Sequence, residues 1–168
     1  LLAQRTLGDL SGRSDEDLLT AASVATPDRI LLVGELLRRR VVLDRIHAAT
    51  LIDPWFLDQM SIIVDEYEVL TTTQPSALGR RGWRRAKRLG FADSQLARMW
   101  GLSEDEVRNS RLEAGVRPTY KTVDTCAEEF AARTHYHYST WEDEEEVAPS
   151  DRRKVLILGS GPNRIGQG

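Results

Sequence analysis

Cysteine occurs once in 168 residues, so no internal disulfide is possible. With no secretory signal in view, the cytoplasm is the expected compartment. Uninterrupted apolar runs are also missing: none approaches the roughly 18 residues of a bilayer crossing, so no membrane is expected. Aromatic residues make up only 7%, yet hydrophobic residues reach 40% and charged residues 29%. That balance excludes a disordered chain, and the length suffices for a real core. No cluster of residues has metal-ligand spacing. His135 and His137 alternate in an extended run and share a face, but two ligands alone do not make a site, and Cys126 does not complete one. Cys126 also lacks a histidine suited to activate its thiolate, and reads as an ordinary small thiol.

The net charge of −3 conceals strong segregation. Residues 1–79 carry 7 basic and 12 acidic side chains, residues 80–123 carry 11 and 5, and residues 124–151 carry 1 and 9. The last stretch, 152–168, holds 4 basic residues and no acidic one. A basic block inside an acidic chain fits nucleic acid, an internal acidic segment or an acidic partner, and charge alone does not choose.

The first 115 residues are punctuated as short helices. Ser14 with Asp17 opens one that carries Leu18, Leu19, Ala22 and Val24. Thr26-Pro27 opens a second, with Ile30, Leu31, Val33, Leu36 and Leu37 at helical spacing and Arg38-Arg39-Arg40 in its last turn. A third holds Leu43, Ile46 and His47. Asp53-Pro54 starts a longer helix through Trp55, Phe56, Met60, Ile63, Val64 and Tyr67. Residues 71–76 read as a linker. Beyond it, one helix stops at Gly90, one is capped by Asp93 and ends at Gly101, and one opens on the Ser103–Glu106 capping box and ends at Gly115. A shift of 50 positions aligns Ile46 with Leu96, Ile52 with Leu102, Asp53 with Ser103 and Leu57 with Val107. Duplication of a helical unit and chance similarity both account for this.

From Val116 the texture changes. Residues 117–123 and 135–141 are β-branched or aromatic and read as extended. Thr125 reads as the cap of one turn carrying Glu128, Glu129 and Phe130. The run 142–146 is acidic, and 148–150 is a linker. Residues 154–158 then have the pattern of a buried strand entering the glycine-rich loop 159–168. That loop is neither a dinucleotide fingerprint nor a P-loop, since Gln167-Gly168 stands where Lys-Ser/Thr belongs. It fits a tight turn at a sheet edge, with Arg164 available to an anion. Starting without methionine and stopping inside this loop, the chain reads as a fragment, and complete catalysis within it is not expected.

The helix–turn–helix over 93–114, flanked by Arg80, Arg81, Arg84, Arg85, Lys87 and Arg88, offers an alternative function as a nucleic-acid-binding module. Its second helix opens on Glu104, Asp105 and Glu106, which would repel phosphates. The favoured reading is therefore a structural helical hairpin with a solvated basic face, and no nucleic-acid partner.

Several stretches together resemble the large subunit of carbamoyl phosphate synthetase. They are Ile52-Asp53-Pro54-Trp55-Phe56-Leu57, Gly115-Val116-Arg117-Pro118, Tyr120-Lys121, Val123 through Phe130, Tyr136, Tyr138-Ser139-Thr140, Glu142 and the loop Gly159–Gly168. The likeness covers roughly residues 10–168; Trp141 departs from it, standing where an aromatic of the tyrosine type is usual. It implies a mainly α fold: a helical oligomerisation and connector domain over 1–150, with a short extended C-terminal region. Residues 151–168 would then begin the second ATP-grasp half, supplying the first β-strand of a truncated α/β domain. The resemblance further implies a noncatalytic piece with no cofactor or metal of its own. The parent enzyme would be an ATP-dependent ligase using Mg or Mn. It makes carbamoyl phosphate from bicarbonate, glutamine-derived ammonia and two ATP, for arginine and pyrimidine synthesis. Implied partners are other large subunits, the rest of the same subunit and a small glutaminase subunit. Asn163, Arg164, Gly166, Gln167 and Gly168 are implied to line a passage for carbamate.

Overall fold

A computed structural model describes residues 10, 12–127, 129–130 and 136–156. The chain forms two compact units. One comprises residues up to 118 together with 140–142, and the other comprises 119–139 and 143 onward.

The first unit is helical. In order come α1 (Asp15–Ser23), α2 (Arg29–Arg38), α3 (Leu43–Thr50), α4 (Pro54–Thr72), a 3₁₀ turn at Pro75–Ala77, α5 (Gly79–Arg88), α6 (Asp93–Trp100) and α7 (Glu104–Glu113). The start signals act through named bonds. Ser14 and Asp17 form a reciprocal cap on α1, and Ser103 and Glu106 do the same on α7. Asp53 Oδ1 accepts the Trp55 N–H at 2.8 Å, with Pro54 occupying the first position, where its missing N–H costs nothing. Three local expectations are corrected. The second helix begins at Arg29 rather than at Pro27. Thr71 and Thr72 belong to α4, their hydroxyls donating back to the Glu68 carbonyl, so the linker is shorter than its composition indicates. Asp93 is the first residue of α6 rather than its cap. The Ala92 N–H is taken instead by Gln95 Oε1 at 2.8 Å, because the Asp93 carboxylate points inward to two cations.

The 50-residue shift is a repeat of structure. α5 begins and ends 50 positions after α2, α6 does so after α3, and α7 begins 50 after α4. Core positions follow the same shift: Val33 and Trp83, Leu36 and Ala86, Val41 and Phe91, Ile46 and Leu96, Leu57 and Val107 are buried pairs. Two hydrophobic clusters result, one around Leu18, Leu36, Ile46 and Leu57, the other around Leu70, Trp83, Leu96 and Val107. In the second, Trp83 and Trp100 meet edge to face with centroids 5.4 Å apart, and Trp100 Nε1 donates to the Leu70 carbonyl at 2.8 Å. α4 contributes to both clusters, giving Leu57 to the first and Leu70 to the second.

The two copies differ at the turn before their last helix. Leu51 and Gly101 are equivalent and both left-handed, at φ 56° and 66°. Glycine adopts this conformation freely, whereas leucine is strained there, and Leu51 is 82% exposed with little packing to lose. Leu51→Gly is expected to raise unfolding free energy by about 0.5–1 kcal/mol in a urea titration. An equal loss instead would show that its packing outweighs the strain.

The second unit pairs β1 (Thr119–Thr122) with β2 (His137–Thr140). The acidic run lies along β1. The Glu146 N–H donates to the Tyr120 carbonyl, Glu146 Oε2 accepts from the Thr122 N–H at 2.9 Å, and Lys121 Nζ reaches Glu146 Oε1 at 3.0 Å. The Thr122 N–H and the Lys121 ammonium hold the Glu146 carboxyl below its ordinary value. Lys121 thus takes one member of the basic block to the acidic run. In the turn after β1 the Cys126 N–H goes to Asp124 Oδ1, so Asp124 rather than Thr125 closes it. Residues 154–156 of the expected C-terminal strand are irregular and exposed, and its remainder lies outside the described residues.

Candidate interaction surface

α4 carries more apolar surface than its own unit uses. Leu57, Met60 and Val64 face the first cluster and Leu70 the second. Phe56, Ile63 and Tyr67, spaced seven and four apart, form a stripe that stays exposed. Trp55 extends it at the N-terminal end, its ring edge-on to Phe56 with centroids 4.9 Å apart. At the other end Tyr67 borders a cavity of about 280 Å³, lined also by Phe91, Gln95, Arg98 and Met99. The opposite edge of α4 is ionic: Arg40 pairs with Asp65 and Glu68. An apolar centre beside a charged rim is the anatomy of a protein-binding surface.

Ion pairs fix the elements that frame the stripe. Glu66 of α4 is only 3% exposed and is paired with Arg85 of α5, tying the two repeats together at the charged level as Leu70 does at the apolar level. In the first repeat Glu35 accepts hydrogen bonds from Arg38 and Arg39, which lower its carboxyl below the ordinary value. Arg39 also donates to the Leu10 carbonyl and to Asp15, holding the N-terminal segment against α2.

A second cluster of charges occupies the other repeat. Asp93 accepts from Lys87 Nζ at 2.8 Å and from Arg111 Nη2 at 2.8 Å. Lys87 continues to the Phe91 carbonyl and Arg111 to that of Val116. The chain returns to this unit at residues 140–142, placing the Trp141 ring 4.9 Å from Lys87 Nζ and 5.0 Å from Arg111 Cζ. Burial pushes the Asp93 carboxyl up, but the hydrogen bonds from Arg111 and Lys87 outweigh it and leave it below its ordinary value.

These findings redistribute the residues singled out in the sequence. The basic block is not one solvated face, since Lys87 is buried and Arg85 serves Glu66. The hairpin α6–α7 buries Leu96 and Val107, and Glu106 at its acidic turn is occupied as a cap. His137 is exposed and within 3.5 Å of the Thr122 hydroxyl, while His135 lies outside the described residues. Cys126 is a half-buried free thiol. Asn163, Arg164, Gly166, Gln167 and Gly168 also lie outside the described residues. Among the described residues no group of His, Cys, Asp and Glu could hold a metal ion, and no helix is long and apolar enough to cross a membrane.

Sequence reasoning missed Glu66 and the partnership of Lys87, Asp93 and Arg111. A charged residue in an otherwise apolar helical position was the available signal for both.

Comparison with known proteins follows the same division of the chain. Residues 3–115 match the family described as the carbamoyl-phosphate synthetase large chain, oligomerisation domain. Among curated proteins, the carbamoyl phosphate synthase large chain of Deinococcus radiodurans is 52% identical over 97% of this chain. That of Thermus thermophilus is 50% identical over 98%, and that of Clavibacter sepedonicus 49% over 93%. The aligned region spans 14–16% of the length of these relatives. A match over well more than half the chain, in the helices where the exposed stripe lies, shows that the chain belongs to the carbamoyl-phosphate synthetase large chain family, its helical unit being the oligomerisation domain.

Proposed function

We propose that this chain is the noncatalytic assembly and connector module of a carbamoyl phosphate synthetase large chain, and that it self-associates through the apolar stripe of α4. The observation that carries the reading is the row Phe56, Ile63 and Tyr67, exposed on a domain whose family is described by oligomerisation. Burying such a row against a second copy removes apolar area from water on both sides of the contact.

In the parent protein the module would link the two synthetase halves, with residues 151–168 opening the second. The parent's reaction is the ATP-dependent formation of carbamoyl phosphate from bicarbonate and ammonia, with Mg or Mn as the ATP-bound metal and a small glutaminase subunit releasing ammonia from glutamine. Asn163, Arg164, Gly166, Gln167 and Gly168 would line the carbamate passage between the halves, and ATP and metal ligands would lie in the rest of the large chain. The Gly-rich sequence of that loop supports the assignment, since glycines admit a close backbone approach.

Sedimentation equilibrium over a range from micromolar to millimolar chain is expected to give a mass that rises above the 18.9 kDa monomer. A constant monomer mass up to millimolar concentration would remove the self-association reading.

A further inference from the structure

The buried charges of the second repeat do not balance. Lys87 and Arg111 bring two cations and Asp93 one carboxylate into a region where their side chains are 7%, 6% and 12% exposed. Lys87 Nζ spends two donors on Asp93 and the Phe91 carbonyl, which leaves one. Arg111 spends Nε and Nη2 on Asp93 and one Nη1 donor on Val116, which leaves two. Uncompensated positive charge in a buried place is costly unless an anion meets it. The Trp141 ring offsets part of the cost through its face.

The fold does not require these charges. At the equivalent positions the first repeat has Leu37, Leu43 and Ser61, and its α2 and α3 keep the bounds of α5 and α6 while α4 starts where α7 does. Buried ion pairs are weak contributors to stability beside apolar residues of similar size. Their presence in one copy alone points to a ligand.

A cleft of about 560 Å³ opens beside the charges, bounded also by Arg108, Arg117 and Glu104. Neither Arg108 nor Arg117 has an ion pair among the described residues. Four cations and two carboxylates line the cleft, leaving a net charge of +2. The volume lies within the range of small-molecule sites. We propose that this cleft binds a compact polyanion of the oxyanion class, a phosphate ester or a di- or tricarboxylate. Arg108 and Arg117 clasp it at the rim, and the spare donors of Lys87 and Arg111 meet it below. The site does not depend on self-association.

Calorimetric titration of the chain with pyrophosphate and with citrate, at ionic strength matched by sodium chloride, tests this. One saturable site per chain is expected, and Arg108→Ala with Arg117→Ala weakens it at least about tenfold. The control, Arg81→Ala with Arg88→Ala, removes the same charge elsewhere on the surface and leaves binding unchanged. Tighter pyrophosphate binding identifies a phosphate ester, and tighter citrate binding a polycarboxylate. Absence of saturation at millimolar probe, or equal weakening by both double variants, overturns the proposal.

Discussion

Replacing Asp93 with alanine is expected to lower the unfolding free energy by about 3–5 kcal/mol, the cost of leaving buried charge without its partner. Few single changes in this chain should cost as much, because the carboxylate serves two cations at once. Lys87 and Arg111 both lose their ion pair, while the Phe91 and Val116 carbonyls remain as neutral acceptors. Urea unfolding followed by circular dichroism reads the loss as a lower midpoint with an unchanged slope. The repeat supplies the contrasting experiment. Lys87→Leu, Asp93→Leu and Arg111→Met together replace the charged network with apolar side chains, as the first copy does with Leu37 and Leu43, and are expected to leave stability unchanged or raised. If the triple variant were as unstable as Asp93→Ala, the network itself, and not the unpaired charge, would be what the fold needs.

The same carboxyl sets an acid limb. Its folded value lies below the ordinary 3.8, so the folded state binds its proton less readily than the unfolded chain. The stability it contributes is therefore complete above 3.8 and is lost as pH falls through the lower, folded value. The triple leucine and methionine variant lacks this group, and its unfolding free energy should fall less steeply over that acid range.

What the sequence made legible is the punctuation. Asp53-Pro54, the Ser103–Glu106 box, and glycines 90, 101 and 115 each act within a few residues of themselves, through a cap bond or a positive φ. Such signals need no tertiary partner to be read. The direction in which a side chain points is different. Trp55, Phe56, Ile63 and Tyr67 belong to the apolar pattern of α4, yet they face outward, because one helix serves two clusters that meet it on other sides. The apolar spacing of α2 puts Ile30 inward, yet Ile30 is exposed, while Leu32, outside that spacing, is buried. Asp93 had the local features of a cap and was drawn away by Lys87 and Arg111, the latter 18 residues distant. Glu66 looked like any charge on a helix until Arg85 of the next helix was set beside it. Asp93 and Glu66 share one physical source: a partner remote in sequence outweighed the local choice.

Ile63→Glu is expected to weaken self-association by on the order of 10²–10³-fold while the monomer remains folded. The side chain is already 43% exposed, so the substitution removes little of either core. A two-fold interface places each substituted residue in the contact twice. Loss of an apolar anchor costs about 2 kcal/mol per site at a well-packed centre, and two such losses give the stated range. Phe56 and Tyr67 lie two turns and one turn away along the stripe, so Phe56→Ala and Tyr67→Ala should act in the same direction with smaller effect. Ile30→Glu is the matched control, an exposed isoleucine on α2 outside the stripe. Sedimentation velocity across a concentration series compares the four variants, with circular dichroism to confirm helical content. Dissociation by Ile63→Glu with no change in Ile30→Glu places the contact on α4. Equal association of Ile63→Glu and the parent chain would leave the stripe free for other parts of the large chain and move the contact between copies to a different face.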